Sequence, residues 1–326
     1  MSGVGLVLGA GGVVGQAYHA GVLAALEHDC GWDPRTADVI VGTSAGSITG
    51  TLLRANVPAS ELAAWTVRAP LSTEGRVLHQ ILGTEIPEFE PFRVLHLLRR
   101  APSLPGWDML RHAASHPWHF RPLVAALTML APGRHDIATR LAMLREVEGQ
   151  SWPERDLWIC AVRRGDGRRV VFGRPGSPDA PLHLAIAASC AVPGYFAPVR
   201  IDDHTYVDGG AHSPTNAAIL RRRHLDLVVV VSPMSGPARP STDLYGASRW
   251  HAARVARREV RALRESGTAV VVFRPGHAEQ EAIGNNFMAR DRVDQIVQQA
   301  FLGAGSFAGR PDVRELLTTF GVRRRP

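Results

Sequence analysis

Two short glycine-framed segments constrain this chain most: Gly42-Thr43-Ser44-Ala45-Gly46 and Asp208-Gly209-Gly210, with a glycine cluster at 9–12 ahead of both. The first directly follows the apolar run Val39-Ile40-Val41 and leads into a stretch of helix character. A serine on a tight strand-to-helix turn projects its hydroxyl out of the backbone, and Gly42 and Gly46 suit a turn that is strained and crowded. Such a serine also sits where free N–H groups and the helix dipole favour developing negative charge. That is a geometry for acyl transfer. The plainer alternative is a tight turn whose serine merely caps the helix.

The surrounding pattern predicts the scaffold. Strands are expected at Val4–Leu8, Val39–Val41, Leu157–Val162, Arg169–Phe172, Val199–Ile201 with Tyr206-Val207, Leu227–Val231 and Ala269–Phe273. Helices are expected at about 15–28, 44–55, 59–68, 214–223, 246–265 and 291–302. Valine- and isoleucine-rich strands alternating with helices argue for a buried, mostly parallel sheet in a three-layer α/β/α fold. Its site should gather at the carboxyl ends of the strands, where Ser44 and the glycine cluster fall. Residues 72–150 read differently. Six prolines lie between Pro87 and Pro122, among apolar-basic stretches such as Phe92–Arg100 and Trp118–Leu127. This segment is expected to be a helical insertion capping the sheet. Its Trp, Phe and Arg residues either pack on the core or dip into a lipid interface.

Composition narrows the classes. At 326 residues with 45% hydrophobic content, the chain can bury a substantial core. Cys30, Cys160 and Cys190 show neither C-x-x-C nor metal spacing, so reduced thiols in a cytoplasmic protein are expected and zinc is not. Residues 3–26 carry no Lys or Arg, and Gln16, His19 and the glycines interrupt the apolar run, so neither signal peptide nor membrane span is expected. All 37 basic residues are arginine, and the net charge of +7 favours approach to anionic lipid or nucleic acid. The tail Arg323-Arg324-Arg325 reads as a solvated end.

Four pieces in order resemble the patatin-like phospholipase family: Leu6–Gly15 followed by His19–Glu27, the Gly42–Gly46 elbow, Ala188–Pro198, and Tyr206–Gly210. Together they frame roughly residues 4–232 of what is expected to be a single domain spanning 1–326. The resemblance implies a lipid acyl hydrolase with a Ser–Asp dyad and no histidine, acting on phospholipid or another acyl lipid. It implies no cofactor, no metal, no nucleic acid and peripheral contact with anionic membrane. Ser44 would be the nucleophile and Asp208 the base. N–H groups of Gly11, Gly12, Val13 and Ala45 would form the oxyanion hole, supported by Gly42, Gly46, Gly209 and Gly210. The chain departs from the family's G-G-G-x-R-G at Ala10 and, more sharply, at Val14, which stands where arginine is expected.

Other readings stay open here. A Rossmann fingerprint fits Gly9 and Gly11 but meets Val14 at its third glycine. A Ser–Asp–His triad would draw on His212, His224, His251 or His277, all of which follow Asp208. A catalytically silent lipid-binding protein would keep the fold without turnover. Ala188–Pro198 is expected to shape the pocket floor, and the loop from Pro275 to Met288 carries no assigned chemistry.

Overall fold

β-branched runs need neighbours on both sides to satisfy their backbone, and here they find them in one eight-stranded mixed sheet. The computed structural model describes residues 3–76, 78, 102, 104, 106–118, 120–141, 152–236 and 244–319. β1 (Val4–Leu8) lies between β2 (Val39–Thr43) and β7 (Leu227–Val231), parallel to both. β3 (Asp156–Arg163) extends the parallel set beyond β2, and β8 (Ala269–Phe273) beyond β7. β4 (Arg169–Phe172) and β6 (His204–Asp208) run antiparallel to β3, and β5 (Val199–Ile201) antiparallel to β6.

Successive side chains of each strand enter opposite cores. Leu6, Leu8, Ile40, Val229 and Val231 face one core, with α1 (Gly12–Cys30), α2 (Ala45–Arg54), α3 (Ala59–Thr66), α7 (Leu182–Cys190) and α10 (Val293–Ala308). Val7, Val39, Val41, Val228 and Val230 face the other, with α8 (Leu244–Glu265) and the short 3₁₀ helix Ala217–Arg222. The expected three layers and mostly parallel sheet are therefore present.

The helix expected at 214–223 is instead that 3₁₀ helix, and the cause is local. Asn216 takes a left-handed φ of 52°, and Ser213 Oγ accepts its N–H at 3.0 Å and that of Thr215 at 3.3 Å. The buried Glu259 carboxylate accepts the Ala217 N–H at 2.9 Å. Side chains thus compete for the N–H groups that would start an α-helix. Three helices carry no bounds in the sequence expectation: α7, α9 (His277–Ile283) and α11 (Pro311–Thr319). In α7 the sequence LHLAIAASC is buried at seven of nine positions, which erases the amphipathic period.

The described part of the insertion is helical, with α4 (Trp107–Ser115), α5 (Pro122–Thr128) and α6 (Ile137–Arg140). Its one β contact is a bridge from His135 to Phe196. The stretch Phe92–Arg100 and the arginine tail fall outside the described residues.

Candidate active site

Ser44 joins β2 to α2 at φ 54° and ψ −121°, a sparsely populated conformation for a side chain with a Cβ. Its hydroxyl does not cap α2. Surrounding bonds hold the turn. The Ser44 N–H donates to Ser189 Oγ at 2.9 Å, and Ser189 Oγ donates to Cys160 O at 2.7 Å. Ser47 Oγ donates to Ser44 O at 2.7 Å. The glycines serve close approach: a Cβ on Gly46 would lie 1.9 Å from Leu8 O, and one on Gly42 2.6 Å from Ser47 Cα.

Asp208 reaches the same place through strand register. Cys160 of β3 pairs with Thr43 and Val171, and the next residue, Ala161, pairs with Val170 and Asp208. β4 occupies one edge of β3, so β2 and β6 share the other edge and meet end to end. The residue after Thr43 is Ser44, and the residue ending β6 is Asp208. Ser44 (6% exposed) stands within hydrogen-bonding reach of the Asp208 carboxylate (4% exposed). Burial pushes the Asp208 carboxyl up from 3.8 to about 7, against the Ser44 hydroxyl and the Gly210 N–H, which stabilise the carboxylate. That N–H donates to Asp208 Oδ1 at 2.7 Å, and the Asp208 N–H donates to Ala191 O at 2.9 Å. Gly209 lies so close to β3 that a Cβ there would be 2.2 Å from Cys160 O.

The glycine cluster runs from the end of β1 into α1. The N–H groups of Gly9 and Ala10 are used by Val231 O at 2.9 Å and Pro214 O at 2.7 Å. Those of Gly11, Gly12 and Val13 have no partner among the described residues, nor does that of Ala45. Gly12 has a left-handed φ of 62° and abuts Phe287, whose carbonyl would be 2.5 Å from a Cβ there. Val14 is buried in the core and donates its N–H to Phe287 O at 3.3 Å. The arginine-to-valine departure therefore replaces a charge by core packing and leaves the loop's N–H groups in place.

Ser44, Ala45, Gly12 and Val13 line a cavity of about 330 Å³ whose apolar walls include Ile48, Leu52, Leu62, Trp65, Phe196 and Met288. None of His212, His224, His251 and His277 hydrogen-bonds to Ser44 or Asp208. His19 is fully buried against Thr49 Oγ1 at 3.3 Å, and burial lowers its pKa to about 3, so it is a neutral core residue. Among the described residues, no cluster of three or more His, Cys, Asp or Glu could hold a metal ion.

The structure adds residues that sequence reasoning did not single out. Ser189 ties the elbow to β3, although the segment around it was expected to floor the pocket. Asn216 is fully buried and donates to Thr43 Oγ1 at 3.1 Å, Gly209 O at 3.4 Å and Ser213 O at 2.7 Å, linking the two glycine-framed turns. Phe287 closes over the glycine cluster from the loop that carried no assigned chemistry. Only Ser189 lay inside a recognisable motif.

The crystal structure of VipD from Legionella pneumophila is similar at a TM-score of 0.42 and 13% identity, over 98% of this chain and 67% of that one. The family model for patatin-like phospholipase matches residues 6–221, about two thirds of the sequence, and the chain belongs to that family.

Proposed function

We propose that this protein is a serine lipid acyl hydrolase that cleaves carboxylic esters of phospholipids or related acyl lipids through a Ser44–Asp208 dyad and an acyl-enzyme. One observation carries the proposal: the hydroxyl of a strained serine lies within reach of a buried carboxylate, at the wall of an apolar cavity. The acyl chain enters that cavity. Asp208 accepts the Ser44 proton as Oγ attacks the carbonyl carbon. A carboxylate with a pKa of about 7 is a far stronger base than a free one at 3.8, and its pKa lies near the operating pH. The oxyanion is held by the N–H groups of Gly11, Gly12, Val13 and Ala45, at the starts of α1 and α2. A preorganised donor of this kind contributes roughly 3–4 kcal/mol to the transition state. Collapse expels the alcohol, which takes the proton from Asp208. Asp208 then activates a water that attacks acyl-Ser44 and frees the acid.

The same proposal treats residues 1–326 as one domain in the cytoplasm, touching membrane only peripherally. In support, Cys30, Cys160 and Cys190 are unbridged, and no described helix is long and apolar enough to cross a membrane.

Labelling with a fluorophosphonate ester, read by intact mass, tests the proposal on wild type, Ser44→Ala and Asp208→Asn. A stoichiometric adduct is expected on Ser44, absent in the alanine variant and slowed in the asparagine variant. An unlabelled but folded wild type would instead support lipid binding without turnover. A pH–rate profile does not separate dyad from triad here, because burial places Asp208 in the range where histidine titrates. Single glutamine substitutions of His212, His224, His251 and His277 do: a dyad keeps its rate in all four, whereas a triad loses it in one.

A further inference from the structure

A second cavity, of about 540 Å³, lies beneath the cap, bounded by Arg121, Arg168, Arg169, His212, Asp166 and Trp118. Its charges are unbalanced. Asp166 is already paired with Arg163 and accepts the Arg168 N–H at 3.1 Å. The nearby buried Glu259 is taken by Thr215 and the Ala217 N–H. The guanidinium of Arg121 donates to His212 O at 3.1 Å and that of Arg169 to Asn216 Oδ1 at 3.2 Å, and the Glu259 carboxylate acts on both through space without a hydrogen bond to either. Arg121 and Arg169 both press on His212, whose pKa falls to about 3 through burial first and these two cations second. Guanidinium groups brought together with only neutral hydrogen-bond partners form a receptor for an anion, and the fork geometry of arginine suits phosphate.

The rim shows which phosphate. Trp118 is 94% exposed and lines this cavity, while Trp107 on α4 is 82% exposed, with Leu110 and Leu123 exposed beside them. Exposed aromatics beside accessible arginines are what a protein presents to a lipid headgroup layer, where amphipathic rings settle and cations meet phosphate.

We infer that the cap docks on an anionic membrane, with the Arg121–Arg169 cavity receiving a lipid phosphate while Trp107 and Trp118 enter the interface. The inference uses neither Ser44 nor Asp208.

The test is vesicle co-sedimentation of full-length Ser44→Ala protein, which leaves the lipid intact and keeps a failure here separate from a failure of the catalytic proposal. Phosphatidylcholine vesicles with and without phosphatidylglycerol are compared at physiological salt. Binding should be at least about tenfold tighter with phosphatidylglycerol. Arg121→Gln with Arg169→Gln should weaken it roughly thirtyfold, at about a fivefold loss per cation near an anionic surface. Trp107→Ser with Trp118→Ser, at exposed positions that leave the fold intact, should abolish sedimentation. Equal binding to neutral vesicles, or no effect of either pair, would overturn the inference. So would tight binding of inorganic phosphate without vesicle binding, which would identify a free anion as ligand, or tighter binding of a single-stranded oligonucleotide than of vesicles.

Discussion

Around Ser44 the serine and the Asp208 carboxylate are buried and within reach of each other, and much of the cavity wall is apolar. Around Trp118 the arrangement is inverted: the indole stands in solvent, and Arg121 and Arg169 of the same cavity hydrogen-bond to neutral partners. In the first region, backbone pairing sets the geometry, down to single residues of strand register. In the second, side-chain chemistry on short helices sets it. The interior should therefore respond sharply to one added or removed atom, whereas the cap should tolerate substitution structurally and respond only when charge or aromatic area changes.

The largest effect separates the two regions by reaction rate. Ser44→Ala should lower ester hydrolysis by about 10⁴-fold or more, whereas Trp118→Ser, assayed on a soluble monomeric ester, should leave it near wild type. Gly46→Ala comes next. With Leu8 O only 1.9 Å from the new Cβ, the elbow and β1 cannot both keep their places. Stability should fall by about 4 kcal/mol or more in urea unfolding; a small loss would show that the interior yields more than its packing implies.

Asp208 provides a third, pH-resolved test. Because its folded pKa is raised from 3.8 to about 7, the folded state holds the proton more tightly. The favourable contribution is full below 3.8 and is lost as pH rises through about 7. Relative to Asp208→Asn, wild type should thus lose up to about 4 kcal/mol between those limits, measured by urea unfolding across the pH range. A flat difference would mean that water reaches the carboxylate. Ser189→Ala should cost about 1–3 kcal/mol by leaving the Ser44 N–H and Cys160 O unpaired, and should lower kcat more than it raises KM. Smallest of all, Trp118→Ser should change unfolding free energy by no more than about 0.5 kcal/mol. A larger loss would mean that the ring packs on the core.

The two regions also differ in how far their sequence discloses them. The sheet was legible because its strands are runs such as Leu227–Val231, with valine at four of five positions, bounded by turns. Ser44 and Asp208 were legible because each ends a strand and needs glycine beside it. Ser189 and Asn216 were not, because their partners lie 145 and 173 residues away. The Asp208 pKa could not be read either: burial belongs to the fold, and an exposed aspartate in the same motif would titrate near 3.9. In the cap, helices as short as Ile137–Arg140 carry too few turns to show a period. Its Arg121 reads as generic positive charge in the sequence, and only the fold brings it, with Arg169 of β4, to His212.

The end-to-end meeting of β2 and β6 along one edge of β3 has a further consequence. Ser44 and Asp208 are both placed by a single ruler, the eight residues of β3, and neither position is set by the length of chain between the strands. The helices α4 and α5 lie outside that ruler, so they can lengthen, shorten or be exchanged without moving Ser44 and Asp208 apart. Transplanting different helices in their place should thus alter which surfaces the protein visits while Ser44 and Asp208 stay in register.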